Sequence, residues 1–184
     1  MSRIYGLMGA MDEEIELLLS VMTEASKTIK AGITYTTGII HGKQVVVCKS
    51  GVGKVNAAVT TQILIDRFGV DQIIFTGVAG AVHPDLNIGD IVISSTCMQH
   101  DMDVTALGYA RGVIPYQDTS EFAADPELVR LAEQACKSLD DRYIVGKVLS
   151  GDQFVASREL VTALRQEMDG ACTEMEGAAV AQTA

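Results

Sequence analysis

The sequence is short of cations, prolines and metal-type side chains, and each shortage closes off a class of function. Lys and Arg number 14 against 24 Asp and Glu, a net charge of −10. A surface of that sign repels phosphate, which excludes nucleic acid and an anionic membrane face as partners. No apolar run approaches the roughly 18 residues that a membrane span requires. Met1-Ser2-Arg3-Ile4-Tyr5 leads straight into a strand pattern without an apolar signal segment. Cys48, Cys97, Cys136 and Cys172 are scattered, with no C-x-x-C pair, the pattern of reduced, mostly buried thiols in a cytoplasmic protein. His41, His83 and His100 lie far apart and none has a His or Cys at ligand spacing, so no metal and no cofactor is expected. With 3 prolines and 48% hydrophobic residues, nothing points to disorder. A chain of 184 residues suits a single domain that buries roughly 70% of its unfolded surface.

What is present is organised around residues 72–95. Gln72-Ile73-Ile74-Phe75-Thr76 reads as a strand covered on both faces, and a glycine-bearing turn, Gly77-Val78-Ala79-Gly80-Ala81, follows it. A second strand is expected over 87–94. Glycines directly after a strand serve either tight packing or a site beyond the strand's carboxyl end, and this stretch alone leaves both open. Elsewhere strands and helices alternate. Strand 3–8 precedes a helix over 11–22, and two β-rich runs at 33–40 and 44–49 flank His41-Gly42-Lys43 as a hairpin. A helix is expected over 55–68, a long functional loop over 98–124, and a helix from Asp125-Pro126 to residue 139. Strand 143–150, a helix over 157–168 capped by Ser157, strand 171–175 and a helix from Gly177 complete the order. This predicts an α/β fold: a mixed central β-sheet flanked by helices on both sides, in one domain over 1–184.

Candidate chemistry sits in the turns. Ser50-Gly51-Val52-Gly53-Lys54 superficially suggests a phosphate loop, but G-x-x-x-x-G-K-[ST] is not matched and the first strand lacks G-x-G-x-x-G. A turn leading into a helix is the better reading. Met11-Asp12-Glu13-Glu14 puts three carboxylates at a solvent-facing helix start. They complement the helix dipole, and such a cluster also repels phosphate, favouring water as an attacking species. Thr173-Glu174-Met175-Glu176-Gly177 puts carboxylates at the end of a buried strand, where vicinal ribose hydroxyls are natural ligands. Glu174 and Glu176 share one side of that strand, which leaves open which binds and which caps.

These turns occur in one series with Gly89-Asp90-Ile91-Val92, His100-Asp101-Met102-Asp103-Val104-Thr105-Ala106-Leu107-Gly108-Tyr109 and Ser150-Gly151-Asp152-Gln153-Phe154. The series, covering essentially the whole chain, resembles the bacterial 5′-methylthioadenosine/S-adenosylhomocysteine nucleosidases of nucleoside phosphorylase-like fold. The resemblance implies hydrolysis of the N-glycosidic bond of both nucleosides, releasing adenine and a thio-ribose, with no cofactor. It implies that Glu14 activates water, that Met175 and Glu176 bind the ribose, and that Phe154 stacks on adenine beside the backbone of Val155. Met11 and Val52 would line the pocket. Val104 would line it from the long loop, while Leu107 and Pro115 would reach the neighbouring subunit's substrate in a homodimer. Val78 stands where many relatives carry Ser, which puts one hydrogen bond in question.

Bond cleavage passes through an oxocarbenium-like state, and protonating the leaving base needs a general acid, a contribution of about 10²–10⁴ in rate. The resemblance assigns that acid to an Asp in a later Ser-Asp motif, absent from these residues. Asp152 is the nearest substitute, but the family pattern places it in a turn. The sequence reading therefore expects a domain truncated at its C-terminus relative to the family, with little adenine release from the 184-residue chain. A purine nucleoside phosphorylase of the same fold and a degenerate nucleoside-binding domain are the competing expectations. The first needs cations in the first glycine turn, where 9–14 offers none.

Overall fold

The computed structural model describes residues 3–184, which divide into two compact units, one running to Val78 and taking in Gln182–Ala184, the other spanning Ala79–Ala181. The first unit is built on β4 (Lys43–Lys49), in which Val45, Val46, Val47 and Cys48 are all buried in succession. Consecutive burial means that both faces are covered, which is why the run is apolar rather than alternating. Beside it lie β1 (Ile4–Gly9), β2 (Thr23–Lys30), β3 (Ile33–Ile40) and β5 (Gln72–Phe75), in the order β2-β3-β4-β1-β5. The β1 strand runs parallel to both neighbours, with Met8 paired to Cys48 on one side and Phe75 on the other. Helix α1 (Asp12–Ser20) sends Ile15 onto Val45 and Val47, and Phe68 of α2 (Lys54–Phe68) stacks on buried Tyr35 at 4.9 Å.

In the second unit β7 (Ile91–Gln99), β9 (Tyr143–Ser150) and β10 (Gly170–Glu174) are parallel, edged by the antiparallel β6 (Gly80–Ala81) and β8 (Glu121–Ala123). Helix α3 (Pro126–Leu139) starts at Asp125, whose carboxylate accepts the N–H groups of Glu127 and Leu128 at 2.8 and 3.0 Å. Ser157 caps α4 (Arg158–Met168) by accepting the Leu160 N–H at 3.1 Å. Leu149 and Leu164 are fully buried in a cluster with Val82, Met98 and Met168. A second cluster joins Cys97, Val148 and Cys172 to Ala178 of α5 (Gly177–Thr183).

The helices and most strands fall where the sequence puts them, and the hairpin at His41-Gly42 is closed by two left-handed residues (φ 46° and 75°), as a two-residue turn requires. Four local expectations change. The β5 strand is not covered on both faces: among the described strands it has one neighbour, and Ile74 is 41% exposed. Residues 87–90 form a turn, with Asp90 accepting the Asn87 N–H at 2.8 Å, so β7 starts at Ile91. The supposed loop 98–124 begins inside β7 and contains a 3-10 turn (Thr105–Leu107) and β8. The β2 strand was not foreseen, because all eight of its residues are exposed and carry no apolar alternation.

Among the described residues no helix is long and apolar enough to cross a membrane. All four thiols are free and buried. Burial pushes Cys48 and Cys172 from 9.0 up to about 12, the Glu174 carboxylate and Cys97 adding to the second, and pushes Cys97 up to about 11. A thiol whose folded pKa is raised holds its proton more tightly when folded, so its contribution is complete below pH 9 and declines as pH rises through the window to 11–12. Stability should therefore fall between pH 9 and 10.5, by at most about 1.4 kcal/mol per pH unit for each thiol. Urea midpoints across that range, with Cys48→Ala showing a shallower slope, check this.

Candidate active site

In the first unit the turn after β1 folds back on Glu14, the third residue of α1. Its Oε2 accepts the N–H groups of Ala10 and Met11 at 2.7 and 3.0 Å, and its Oε1 accepts the Val78 N–H at 3.0 Å. The side chain is half-buried rather than solvent-facing, because three backbone donors hold it against two turns. The ladder brings those turns together: Met8 and Phe75 are register partners, and the Thr76 N–H reaches Met8 O at 2.9 Å. Both turns carry glycine where the carboxylate passes. A Cβ on Gly9 would lie 2.8 Å from Glu14 Cβ, and one on Gly77 would collide with the Glu14 carboxylate. Asp12, the first acid of the cluster, is paired with Lys49 at 2.7 Å. The Ser50–Lys54 turn is a helix start: Gly53, at φ 100°, is the N-cap of α2.

In the second unit the acidic pair divides its roles. Glu174 ends β10, and its Oε2 accepts the N–H groups of Glu176 and Gly177 at 2.8 and 2.7 Å. Its Oε1 accepts the hydroxyl of Ser150 at the end of β9. Glu174 is therefore the cap, and Glu176, 6% exposed, is the carboxylate not used for it. The turn after β9 carries Phe154, 88% exposed, and half-buried Val155. Asp101 Oδ2 accepts the Asp152 N–H at 2.9 Å and so ties the long loop to this turn. A Cβ on Gly151 would meet His100 Nε2 at 2.5 Å, so the turn is packed directly on that buried ring.

The other expected site residues lie on turns and loops. Met11 and Val78 join Glu14 through their backbone N–H groups, Val78 with its side chain 73% exposed. Val52, 50% exposed, is in the turn before α2, and half-buried Met175 lies between the two glutamates. Val104 caps the 3-10 turn and Leu107, 70% exposed, is its last residue, while half-buried Pro115 precedes Tyr116. Sequence reasoning missed Ser150 and Asp101 as supports. The available signal for Ser150 was a polar residue directly after the apolar pair Val148-Leu149, at a strand end level with Glu174. Among the described residues no group of three His, Cys, Asp or Glu is placed to hold a metal ion.

Both carboxylate arrangements lie within a stretch that matches known proteins. Residues 4–184 match the phosphorylase superfamily. The 5′-methylthioadenosine/S-adenosylhomocysteine nucleosidase of Geobacillus sp. strain WCH70 is 42% identical over 178 residues, covering 96% of this chain and 76% of that protein. The chain belongs to the 5′-methylthioadenosine/S-adenosylhomocysteine nucleosidases. Two solved nucleosidases agree in fold. That of Colwellia psychrerythraea 34H, crystallised with adenine, is 40% identical with a TM-score of 0.93, over 100% of this chain and 76% of that one. That of Neisseria meningitidis, in complex with methylthio-immucillin-A, is 39% identical with a TM-score of 0.94, over 98% and 79%. The α/β, nucleoside phosphorylase-like class expected from the sequence is thus the class of this nucleosidase.

The packing around Glu14 makes a direct prediction. Gly77→Ala drives a methyl into the carboxylate and should cost about 1–3 kcal/mol of stability, the range for an overpacked site. An unchanged urea midpoint would show that the turn has room to yield.

Proposed function

We propose that the chain hydrolyses the N-glycosidic bond of 5′-methylthioadenosine and S-adenosylhomocysteine, releasing adenine and a thio-ribose. The observation that carries this is the Glu14 carboxylate. An ionised carboxylate offers about four acceptor sites, and three are occupied by the N–H groups of Ala10, Met11 and Val78. The remaining site, on Oε1, suits one O–H of a water molecule. As the bond from C1′ to the base lengthens, the ribose becomes cationic and the water oxygen bonds to C1′ while Glu14 takes its proton. The bond's electron pair leaves with adenine, which takes its proton from solvent.

The remaining roles follow the chemistry of the groups. Glu176 accepts the ribose hydroxyls and adds negative charge near the developing cation, with Met175 against the sugar. Exposed Phe154 offers a ring for stacking on adenine, and the Val155 backbone offers donor and acceptor to the base edge. Met11, Val52, Val78 and Val104 supply apolar wall. Leu107 and Pro115 reach the thioalkyl group of a second copy's substrate, an assignment supported by the exposure of Leu107 and of the adjoining Tyr116, 96% exposed. The continuous superfamily match over 4–184 supports one nucleoside phosphorylase-like domain. The buried free thiols support a cytoplasmic setting.

A phosphorylase would need cationic side chains at the first glycine turn. The cation beside it, Lys49, is taken up by Asp12 at 2.7 Å. The test reads the fate of C1′ at whatever rate turnover proceeds. Adenine should appear together with free thio-ribose, at a rate unchanged by added phosphate. A sugar 1-phosphate, or release that requires phosphate, would overturn the assignment to hydrolysis.

The interface carries its own expectation. The protein should sediment as a dimer, and Leu107→Asp should shift it towards monomer while lowering affinity for thioalkyl nucleosides. A stable monomer with normal nucleoside affinity would contradict the shared pocket.

A further inference from the structure

Half-buried Glu174 and buried Ser150 form a junction that the hydrolytic scheme does not itself use. Ser150 is completely buried at the end of β9, directly in register with Glu174 at the end of β10. Its hydroxyl donates to Glu174 Oε1 and accepts the Ala178 N–H at 2.7 Å. Glu174 Oε2 takes the N–H groups of Glu176 and Gly177. Three successive backbone amides, 176 to 178, are therefore held by one carboxylate and one hydroxyl. Gly177 is suited to this approach, since a Cβ there would stand 3.3 Å from Glu174 Oε1. The Glu174 carbonyl separately accepts the Gly151 N–H at 3.1 Å, so the turn leading to Phe154 hangs on the same residue through its backbone alone.

We infer that Ser150 and Glu174 are positioning residues that fix where Glu176 presents its carboxylate to the ribose, leaving base recognition to the separately held turn. This rests on the reading of Glu176 as the ribose ligand. Removing the Glu174 carboxylate frees the 176 and 177 amides to reorient and displaces Glu176. The main-chain bond to Gly151 survives any side-chain change. The inference therefore predicts a split: loss of riboside affinity with retention of adenine affinity. A purely structural role would lower the folded fraction and reduce binding of both ligands in the same proportion.

The experiment is calorimetric titration of the full chain with adenine and with a non-hydrolysable methylthioadenosine analogue, for the wild type and four variants. Glu176→Ala should weaken the analogue about 10–100-fold, the range for a hydrogen bond to a charged group. Glu174→Ala should approach that loss, and Ser150→Ala should give roughly 3–10-fold, with adenine affinity within about twofold in every case. Glu174→Gln keeps an acceptor for the two amides and can donate to Ser150 Oγ, so it should stay within a few-fold of wild type. If Glu174→Ala folds poorly, the Ser150→Ala and Glu174→Gln pair gives the same decision. Normal analogue binding by Glu174→Ala and Ser150→Ala, with Glu176→Ala impaired, would overturn the positioning role and leave the ribose reading standing. Equal losses for adenine and analogue would overturn it as well. Normal binding by Glu176→Ala would remove the ribose reading and this inference with it.

Discussion

The convergence of three backbone N–H groups on one carboxylate is the constraint that the first unit is arranged to meet. Ala10 and Met11 belong to the turn after β1, and Val78 to the turn after β5. Those donors can reach the same side chain because β1 and β5 are adjacent, parallel and in register at Met8 and Phe75. Parallel pairing of adjacent strands places successive turns on the same edge of the sheet, where an open α/β fold puts its ligands. The glycines then follow from the carboxylate rather than the reverse. Gly9 and Gly77 stand where a methyl group would press on Glu14. The link of Val78 to Glu14 is a backbone N–H at 3.0 Å and so does not depend on the side chain at that position.

The second unit uses the same device with a different outcome. Glu174 is engaged at the strand ends, bound by Ser150 and by the amides that open α5. A carboxylate so employed is structural. Two glutamates that look alike in sequence thus differ in task, because it is Glu174 that takes the amides of residues 176 and 177.

The fold class and most elements were legible because β1, β4 and β9 are rich in apolar residues and the turn residues mark their limits. The helix at Asp125-Pro126 and the Ser157 cap carried their own chemistry in plain sight. The β2 strand was not legible, since its stabilisation comes from pairing with β3 through a turn at Ala31-Gly32, not from any buried side chain. The short β8 strand was hidden for a related reason: three residues paired to β7 carry too little pattern to separate them from the preceding loop. For the site, the glycine turns and acidic positions were legible, while the residues themselves, apart from the resemblance, left the division between Glu174 and Glu176 open. That division depends on Ser150, distant in sequence and brought level with Glu174 only by the parallel pairing of β9 and β10.

The central claim is that Glu14 handles the attacking water, and Glu14→Gln measures it most directly. The amide keeps the shape and one acceptor but cannot take the proton. With affinity for a methylthioadenosine analogue verified as within a few-fold of wild type, the account predicts a fall in adenine release of about 100-fold or more, the scale of general-base catalysis. Release at a near-normal rate from that variant, with binding intact, would contradict the account.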